Sequence, residues 1–157
     1  MLVGVISDTH RNEYMTRAAM SFLKDSDIII HLGDNTEDVN QMSKLYKKRI
    51  IFVKGNCDMS TRIPHEIVET IGGKKFLITH GHMYDVKGGY QRLMYKALEI
   101  GADIALFGHT HAPEIIYEEG VWLVNPGSAA LSRRGPNSIA FIEIKDGKVN
   151  PSIKNLD

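Results

Sequence analysis

The stretch Leu2-Val3-Gly4-Val5-Ile6-Ser7-Asp8-Thr9-His10 decides the fold. Its apolar part is short, rich in Val and Ile and without helical periodicity, which indicates a buried strand over residues 2–6. Asp8 and His10 follow where that strand ends. Because side chains at positions i and i+2 of an extended chain point the same way, this pair offers a carboxylate and an imidazole to one metal ion. An Asp helix cap followed by an ordinary loop His is an equal alternative for these two residues alone.

Residues 12–54 alternate helices with strands. A helix with its N-cap at Asn12 precedes a buried strand over residues 27–32, a helix over residues 36–46 and a strand over residues 49–54. This alternation indicates a parallel α/β sheet, in which ligands bind beyond the carboxyl ends of the strands. The residues of the second helix that are predicted to face inward are Val39, Met42, Leu45 and Tyr46.

Antiparallel strands dominate the second half. A hairpin that turns at Gly72-Gly73 leads to a strand ending in His80-Gly81-His82. A helix ends at Gly101, and the next strand ends in Gly108-His109-Thr110-His111. Four short strands follow, so we expect two sheets packed together with helices outside. The apolar face of the helix before Gly101 is predicted to contain Leu93, Met94, Ala97, Leu98 and Ile100.

The composition is that of an ordinary globular protein. The 157 residues predict one domain over residues 1–157, which buries about 70% of its unfolded surface. The formal net charge of zero argues against a generally basic nucleic-acid binder. The pattern has no leader and no apolar run of membrane-spanning length, so we expect a cytoplasmic protein with no membrane partner. The single Cys57 excludes an internal disulfide.

Five predicted strand ends carry side chains that bind metals. Oxygen and imidazole ligands without a thiolate cage suit Mn, Fe, Zn or Ni rather than a structural zinc or calcium site. Seven ligands exceed the need of one ion and suit two ions that share a carboxylate. The glycines beside them let the backbone approach the site closely. The seven residues are Asp8, His10, Asp34, Asn56, His80, His109 and His111.

The order and spacing of these motifs resemble the calcineurin-like metallophosphoesterases over almost the entire chain. The triplet His80-Gly81-His82, the short length and the residues Asn125-Pro126-Gly127-Ser128 are similar to the small bacterial and archaeal phosphodiesterase branch. The resemblance implies an α/β fold, a four-layer α-β-β-α sandwich of two mixed β-sheets flanked by helices. The motifs that carry it are Asp8-x-His10, Gly33-Asp34, Gly55-Asn56-x-Asp58, His80 and Gly108-His109-x-His111.

The resemblance also implies a binuclear centre and a reaction. A hydroxide that bridges two divalent ions, with Mn expected first and Ni, Fe or Zn as alternatives, would attack the phosphorus of a small phosphodiester substrate. Asp34 would bridge the two ions. One ion would be held by Asp8, His10, Asp34 and His111, and the other by Asp34, Asn56, His80 and His109.

Three residues are assigned to the catalytic site. The amide of Asn56 can ligate through its oxygen and donate through its nitrogen to a phosphate oxygen. His82 either faces the substrate or is a structural histidine, and Asp58 is expected to orient a neighbour rather than bind metal. Many relatives carry His where this chain has Cys57, and that His is commonly proposed to assist the leaving group. The resemblance therefore leaves the general acid unassigned.

Four other polar residues receive structural interpretations. Arg133 and Arg134 are expected to be exposed, with a fork onto a phosphate as the alternative. His31 lies inside an apolar strand and is predicted to be a hydrogen-bonded core residue, important for stability and not for chemistry. His65 has no partner in the sequence pattern.

Other functions compete with a phosphodiesterase. A phosphomonoesterase acting on a phosphoprotein or mononucleotide is the nearest enzymatic alternative. A protein-interaction scaffold like the retromer subunit of this fold is another, but the complete ligand set favours catalysis. A nuclease is disfavoured because the chain is short and neutral, with no evident basic groove. The sequence leaves the substrate, the native metal and homo-oligomerisation open.

Overall fold

The computed structural model describes residues 1–156. They form ten strands, three α-helices and two 3₁₀ turns, at Thr36–Asp38 and His82–Tyr84. The α-helices are α1 (Glu13–Leu23), α2 (Val39–Leu45) and α3 (Gln91–Ile100). The strands are β1 (Leu2–Ile6), β2 (Ile28–His31), β3 (Ile50–Phe52), β4 (Glu66–Ile71), β5 (Lys74–Thr79), β6 (Ile104–Leu106), β7 (Pro113–Glu118), β8 (Val121–Pro126), β9 (Ser138–Lys145) and β10 (Lys148–Asn155).

The first sheet has the strand order β10-β9-β1-β2-β3. Strands β1, β2 and β3 are parallel, with Val5 beside Ile30 and Ile30 beside Ile51. Strands β9 and β10 pair antiparallel at the other edge. Because parallel strands end at the same edge of a sheet, the segments after β1, β2 and β3 lie side by side. The parallel arrangement predicted for the first three strands is confirmed, within a sheet that is mixed as a whole.

The second sheet has the order β4-β5-β6-β8-β7. Its three central strands are parallel, with Ile78 of β5 beside Leu106 of β6 and Leu106 beside Val124 of β8. Strands β4 and β7 pair antiparallel at the edges. The segments after β5 and β6, which contain four of the histidines, therefore also lie together.

Apolar side chains fill the space between the two sheets. Val5 and Ile30 of the first sheet and Phe76 and Leu106 of the second belong to one buried cluster. Burial of this apolar surface is the main force that holds sheet on sheet. Helices α1 and α2 contribute to a second cluster on the outer face of the first sheet, and α3 to a third on the outer face of the second. The predicted four-layer sandwich with two mixed sheets is confirmed.

The helices differ from their predicted form in detail. Leu45 is 55% exposed and Leu98 is 42% exposed, so the prediction that both face inward is wrong. At 3.6 residues per turn, Leu45 lies about 120° around the axis from Val39 and Leu98 about 140° from Leu93, outside the buried stripes. The predicted helix over residues 36–46 begins as a 3₁₀ turn and becomes α-helical only at Val39. None of the described helices combines the length and apolar character needed to cross a membrane.

Candidate metal centre

Two groups of side chains that could hold metal ions meet at the carboxyl ends of the two sheets. Within each group, one ligand atom from every residue lies within 4.8 Å of the others, and Asp34 belongs to both groups. The oxygen Oδ1 of Asn56 adjoins the second group, 3.2 Å from Nε2 of His80. The first group is Asp8, His10, Asp34 and His111, and the second is Asp34, His80 and His109.

The first group surrounds a buried carboxylate oxygen. Oδ1 of Asp8 has no hydrogen-bond partner among the described residues, although Nε2 of His111 lies 3.1 Å away. Nε2 of His10 is 4.0 Å from the same oxygen and 3.3 Å from Nε2 of His111. A buried polar atom without a partner is rare and calls for an ion or water. A cation among these three side chains would satisfy it.

The second group is centred on His80. Its Nε2 lies 3.4 Å from Oδ1 of Asp34 and 4.0 Å from Oδ1 of Asp8. The ring of His109 packs against the ring of His80 with centroids 5.0 Å apart. This brings nitrogen ligands from the ends of β5 and β6 to the carboxylate that follows β2.

Backbone carbonyls determine which nitrogen of two histidines faces the centre. Nδ1 of His80 lies 2.8 Å from the carbonyl oxygen of Leu32, and Nδ1 of His111 lies 2.8 Å from that of Leu131. Because a carbonyl oxygen only accepts, each Nδ1–H donates to it, so Nε2 is the nitrogen that faces the carboxylates and can bind a cation once its own proton has left. This is the arrangement that metal-binding histidines usually have.

The charges of the centre favour ionised carboxylates. Burial by itself would raise the pKa of Asp34, but hydrogen bonding and charge attraction to His80 and the Cys57 N–H hold it well below its usual value. Burial opposes ionisation of Asp8 as well, yet His111, His80 and the Ser7 hydroxyl lower its pKa. Both carboxylates are therefore in the form that binds cations at neutral pH.

Strained backbone conformations cluster at the candidate ligands. A positive φ is uncommon outside glycine, although Asn, Asp and His adopt it more readily than other residues. Such strain persists only where the surrounding structure enforces it, and it concentrates at functional sites. Five of the seven candidate ligands have it: Asp8 (φ 54), His10 (φ 47), Asp34 (φ 59), His109 (φ 68) and His111 (φ 56).

Two glycines allow the loops to approach each other. A Cβ atom on Gly55 would lie 2.1 Å from Oδ1 of Asp34, and one on Gly108 would lie 2.2 Å from Oγ of Ser7 and 2.9 Å from Oδ2 of Asp8. Any side chain at either position would displace a candidate ligand or its neighbour. The expectation that these glycines permit close backbone approach is confirmed.

Asp58 holds two ligand loops together. Its carboxylate accepts hydrogen bonds from the backbone N–H groups of Asp34 (2.9 Å), Gly55 (2.8 Å) and Thr36 (2.8 Å), and from the Thr36 hydroxyl (3.1 Å). With its acceptor sites occupied in this way, Asp58 fixes the loop after β2 against the loop after β3. This geometry suits the predicted orienting role.

His82 lies beside the second ligand group. Its ring centroid is 5.4 Å from that of His80 and 6.1 Å from that of His109. Nδ1 of His82 is buried without a hydrogen-bond partner in residues 1–156, so this nitrogen is available for a ligand or water. The ring of His65, for which the sequence pattern offers no partner, packs against the ring of His82 with centroids 5.5 Å apart. Their ring contact joins residues 17 positions apart, which a local pattern does not reveal.

The two arginines lie at the surface. Arg133 and Arg134 are both exposed, as expected. Arg133 contacts the centre through its backbone, where its N–H donates to the carbonyl of His111 over 2.9 Å.

Three supporting residues have no role in the sequence prediction. The Ser7 hydroxyl donates to Oδ2 of Asp8 (2.6 Å), and the Ser128 hydroxyl donates to the Asp8 carbonyl (2.8 Å). The buried amide of Asn125 donates to the carbonyl of Gly108 and the hydroxyl of Thr110, each over 3.0 Å. The motif Asn125-Pro126-Gly127-Ser128 marks two of these residues in the sequence. Their partners lie in loops distant in sequence, so the contacts become visible only in the folded structure.

His31 is fully buried and hydrogen-bonded, as predicted, but it also adjoins the ligand loops. Its Nδ1 accepts from the N–H of Gly33 over 3.1 Å, so Nε2 carries the proton and donates to Oγ1 of Thr9, also over 3.1 Å. The His31 ring thus connects the loop after β1 to the loop after β2. It does so through Thr9 and Gly33, which are next to the candidate ligands Asp8 and Asp34 in the sequence.

Replacing His31 by Gln is expected to lower the free energy of unfolding by about 1–3 kcal/mol, because a buried hydrogen-bonding group loses its partner. The kcat of metal-saturated protein should stay near the wild-type value, since the ring contacts no ligand side chain. Chemical denaturation and metal analysis check both expectations. A large loss of kcat in folded variant with full metal content would contradict them.

The His31→Gln effect should also depend on pH. Burial lowers the pKa of His31 to about 4, whereas an unfolded His titrates near 6.5. Between these values only the unfolded chain binds the proton, so His31's contribution is full above pH 6.5 and is lost as the pH falls to 4. The stability advantage of wild type over His31→Gln should therefore fall by about 3 kcal/mol over that range, which removes it or reverses its sign near pH 4. A pH-independent difference in denaturation midpoints would contradict this assignment.

Known proteins share this sequence and fold. Residues 1–147 match the calcineurin-like phosphoesterase superfamily domain. A probable metallophosphoesterase of Bacillus subtilis, YsnB, is 33% identical over 93% of this chain and 86% of its own. Vacuolar protein sorting-associated protein 29 of Schizosaccharomyces pombe is 33% identical over 100% of this chain and 84% of its own. The solved structure of an archaeal phosphodiesterase superposes with a TM-score of 0.80 at 25% identity, covering 98% of this chain and 100% of that one. With two groups of candidate metal ligands at its strand ends, the chain belongs to the calcineurin-like phosphoesterase superfamily.

Proposed function

We propose that this protein is a phosphodiesterase that uses two divalent transition-metal ions. The observation that carries the proposal is the position of Asp34 in both groups of ligand atoms. A carboxylate has two oxygens and can serve one ion with each. In this proposal one ion is held by Asp8, His10, Asp34 and His111, and the other by Asp34, Asn56, His80 and His109.

The donor set supports manganese first, with iron, nickel or zinc as alternatives. The candidate ligands supply carboxylate and amide oxygens and imidazole nitrogens, a mixture typical of these metals. The partnerless Oδ1 of Asp8, with imidazole nitrogens 3.1 and 4.0 Å away, supports a cation at this point. Calcium is disfavoured because it prefers an all-oxygen shell.

The residues around the centre have separate roles in the proposed reaction. When bound, two divalent ions would acidify water and neutralise charge on the phosphoryl group. Asn56 turns its Oδ1 toward His80, which leaves its Nδ2–H₂ to donate to a phosphoryl oxygen. His82, with its partnerless Nδ1, would contact the substrate from the side of His80. Asp58 would keep Asp34 in place through the backbone.

Two alternatives remain beside diester hydrolysis. The similarity to an archaeal phosphodiesterase favours diesters over monoesters. The similarity to vacuolar protein sorting-associated protein 29 favours a protein-interaction scaffold instead. Retention of every carboxylate, amide and imidazole of the proposed ligand set supports the enzyme over the scaffold.

A metal-by-substrate screen tests the proposal. Chelated protein is reconstituted with Mn, Fe, Ni or Zn and assayed on bis(p-nitrophenyl) phosphate and p-nitrophenyl phosphate. We expect close to two Mn per chain, loss of activity on chelation and faster hydrolysis of the diester. Full activity with one tightly held ion would overturn the two-metal mechanism. Preference for the monoester would support the phosphomonoesterase, and two bound metals without hydrolysis would support the scaffold.

A further inference from the structure

A cavity of about 280 Å³ lies beside the candidate metal centre. Its wall includes Arg11, Asn35 and Cys57, each of which directly follows a proposed metal ligand. The backbone N–H of Cys57 donates to Oδ1 of Asp34 over 3.0 Å, so one wall of the cavity is bonded to the carboxylate shared by both ligand groups. The cavity therefore adjoins the three loops that carry His10, Asp34 and Asn56.

The charged groups of the cavity disfavour an anionic substituent. The lining contains one cation, Arg11, and two carboxylates, Glu37 and Asp58, and no lysine. Nε of Arg11 lies 3.2 Å from Oε2 of Glu37, so the one cation already has a carboxylate partner. A second phosphate or carboxylate on the substrate would meet a net negative lining.

The remaining walls favour an aromatic ring. Phe52, Met59 and Ile63 supply apolar surface, with an aromatic ring and a thioether that pack well against a planar group. Ligand pockets usually measure about 300–1,000 Å³, so this cavity of about 280 Å³ lies just below that range and fits one ring system rather than a dinucleotide.

We propose that this cavity holds the leaving group of the phosphodiester and that this group is an uncharged aromatic alcohol. The inference rests on the proposed function and specifies its substrate class. Cys57 borders the cavity, and its thiol is only a weak hydrogen-bond donor. An aromatic alcohol departs as a stabilised oxyanion with little need for a proton. It therefore suits a cavity wall whose thiol, that of Cys57, is a poor proton donor.

Filling the cavity tests the proposal. In Asn40→Phe, a ring is added at an exposed cavity-lining position of α2, and in the matched control Lys44→Phe the same ring is added on α2 outside the cavity. We expect kcat/KM for bis(p-nitrophenyl) phosphate to fall about tenfold in Asn40→Phe through KM, with metal content unchanged and Lys44→Phe near wild type. Equal kinetics of the two variants would overturn the proposal.

A charge variant tests the specificity separately. Glu37→Gln removes one carboxylate from the cavity and frees Arg11 from its ion pair. A diester whose leaving group is the anionic 3-carboxy-4-nitrophenol should then be hydrolysed better. We expect its kcat/KM, relative to that of the p-nitrophenol diester, to rise about threefold. No change in this ratio would contradict the assignment of charge selectivity to the cavity.

A binding measurement separates this inference from the proposed function. If the wild type hydrolyses no diester, the proposed function fails, and NMR titration with diphenyl phosphate and dimethyl phosphate still tests the cavity. The cavity proposal is supported if diphenyl phosphate binds more tightly than dimethyl phosphate, and if this difference is lost in Asn40→Phe and kept in Lys44→Phe. Equal affinity for the two diesters would overturn it.

Discussion

Replacing Asp34 by Ala is expected to reduce kcat/KM by about a thousandfold or more, a larger loss than His10→Ala causes. Asp34 belongs to both ligand groups, whereas His10 belongs to one. Without the shared carboxylate, two cations would lie close together with less negative charge between them, so binding of the second ion should weaken sharply. Steady-state kinetics and metal analysis of both variants measure the difference.

The backbone at Asp34 calls for a matched control. Asp34 has φ 59, a conformation that Asn adopts more readily than Ala. Asp34→Asn therefore keeps the loop and the hydrogen bond from the Cys57 N–H while it removes the charge. If Asp34→Asn loses activity and the second metal while its unfolding midpoint stays near wild type, the charge is responsible. Folded Asp34→Ala with near wild-type kcat would contradict the shared-ligand assignment.

The sheet edge that carries the centre could be predicted from local sequence. Strands β1, β2 and β3 are short apolar runs separated by helical periodicity, and such strands run parallel and end together. Polar residues that follow several of these strands must therefore approach one another, as Asp8 and Asp34 do. The division into two groups was implied by family resemblance, because strand order alone does not determine which ligand atoms face each other.

The support of the centre could not be predicted in the same way. The hydrogen bond from Ser128 to the Asp8 carbonyl joins residues 120 positions apart, and the contact of His65 with His82 joins the residue before β4 to the 3₁₀ turn after β5. The positive φ values of the candidate ligands persist because the surrounding structure enforces them. Local periodicity also overestimated the buried stripe at Leu45 and Leu98, because it does not reveal where the packed sheet ends.

Replacing Cys57 by His is expected to speed hydrolysis of alkyl diesters and leave activated aryl diesters nearly unchanged. Burial and the negative charge of Asp34 raise the pKa of the Cys57 thiol, so it is protonated at neutral pH but a poor acid. An alkoxide leaving group needs a proton and a nitrophenolate needs little. General acid catalysis typically contributes about 10²–10⁴-fold, and a correctly placed imidazole should recover part of that factor on alkyl substrates.

The leaving-group dependence of kcat/KM measures this effect in wild type, Cys57→Ala and Cys57→His. We expect a steep dependence on leaving-group acidity in wild type and Cys57→Ala alike, because the thiol contributes little, and a shallower one in Cys57→His. A flat dependence in the wild type would show that another group, such as His82, already donates the proton. A loss in Cys57→Ala confined to alkyl substrates would show that the thiol itself is the acid. Either outcome would contradict the prediction. The two outcomes are distinguishable, because only a thiol acid is lost when Cys57→Ala removes the Sγ atom, which lies 3.6 Å from Nδ2 of Asn56.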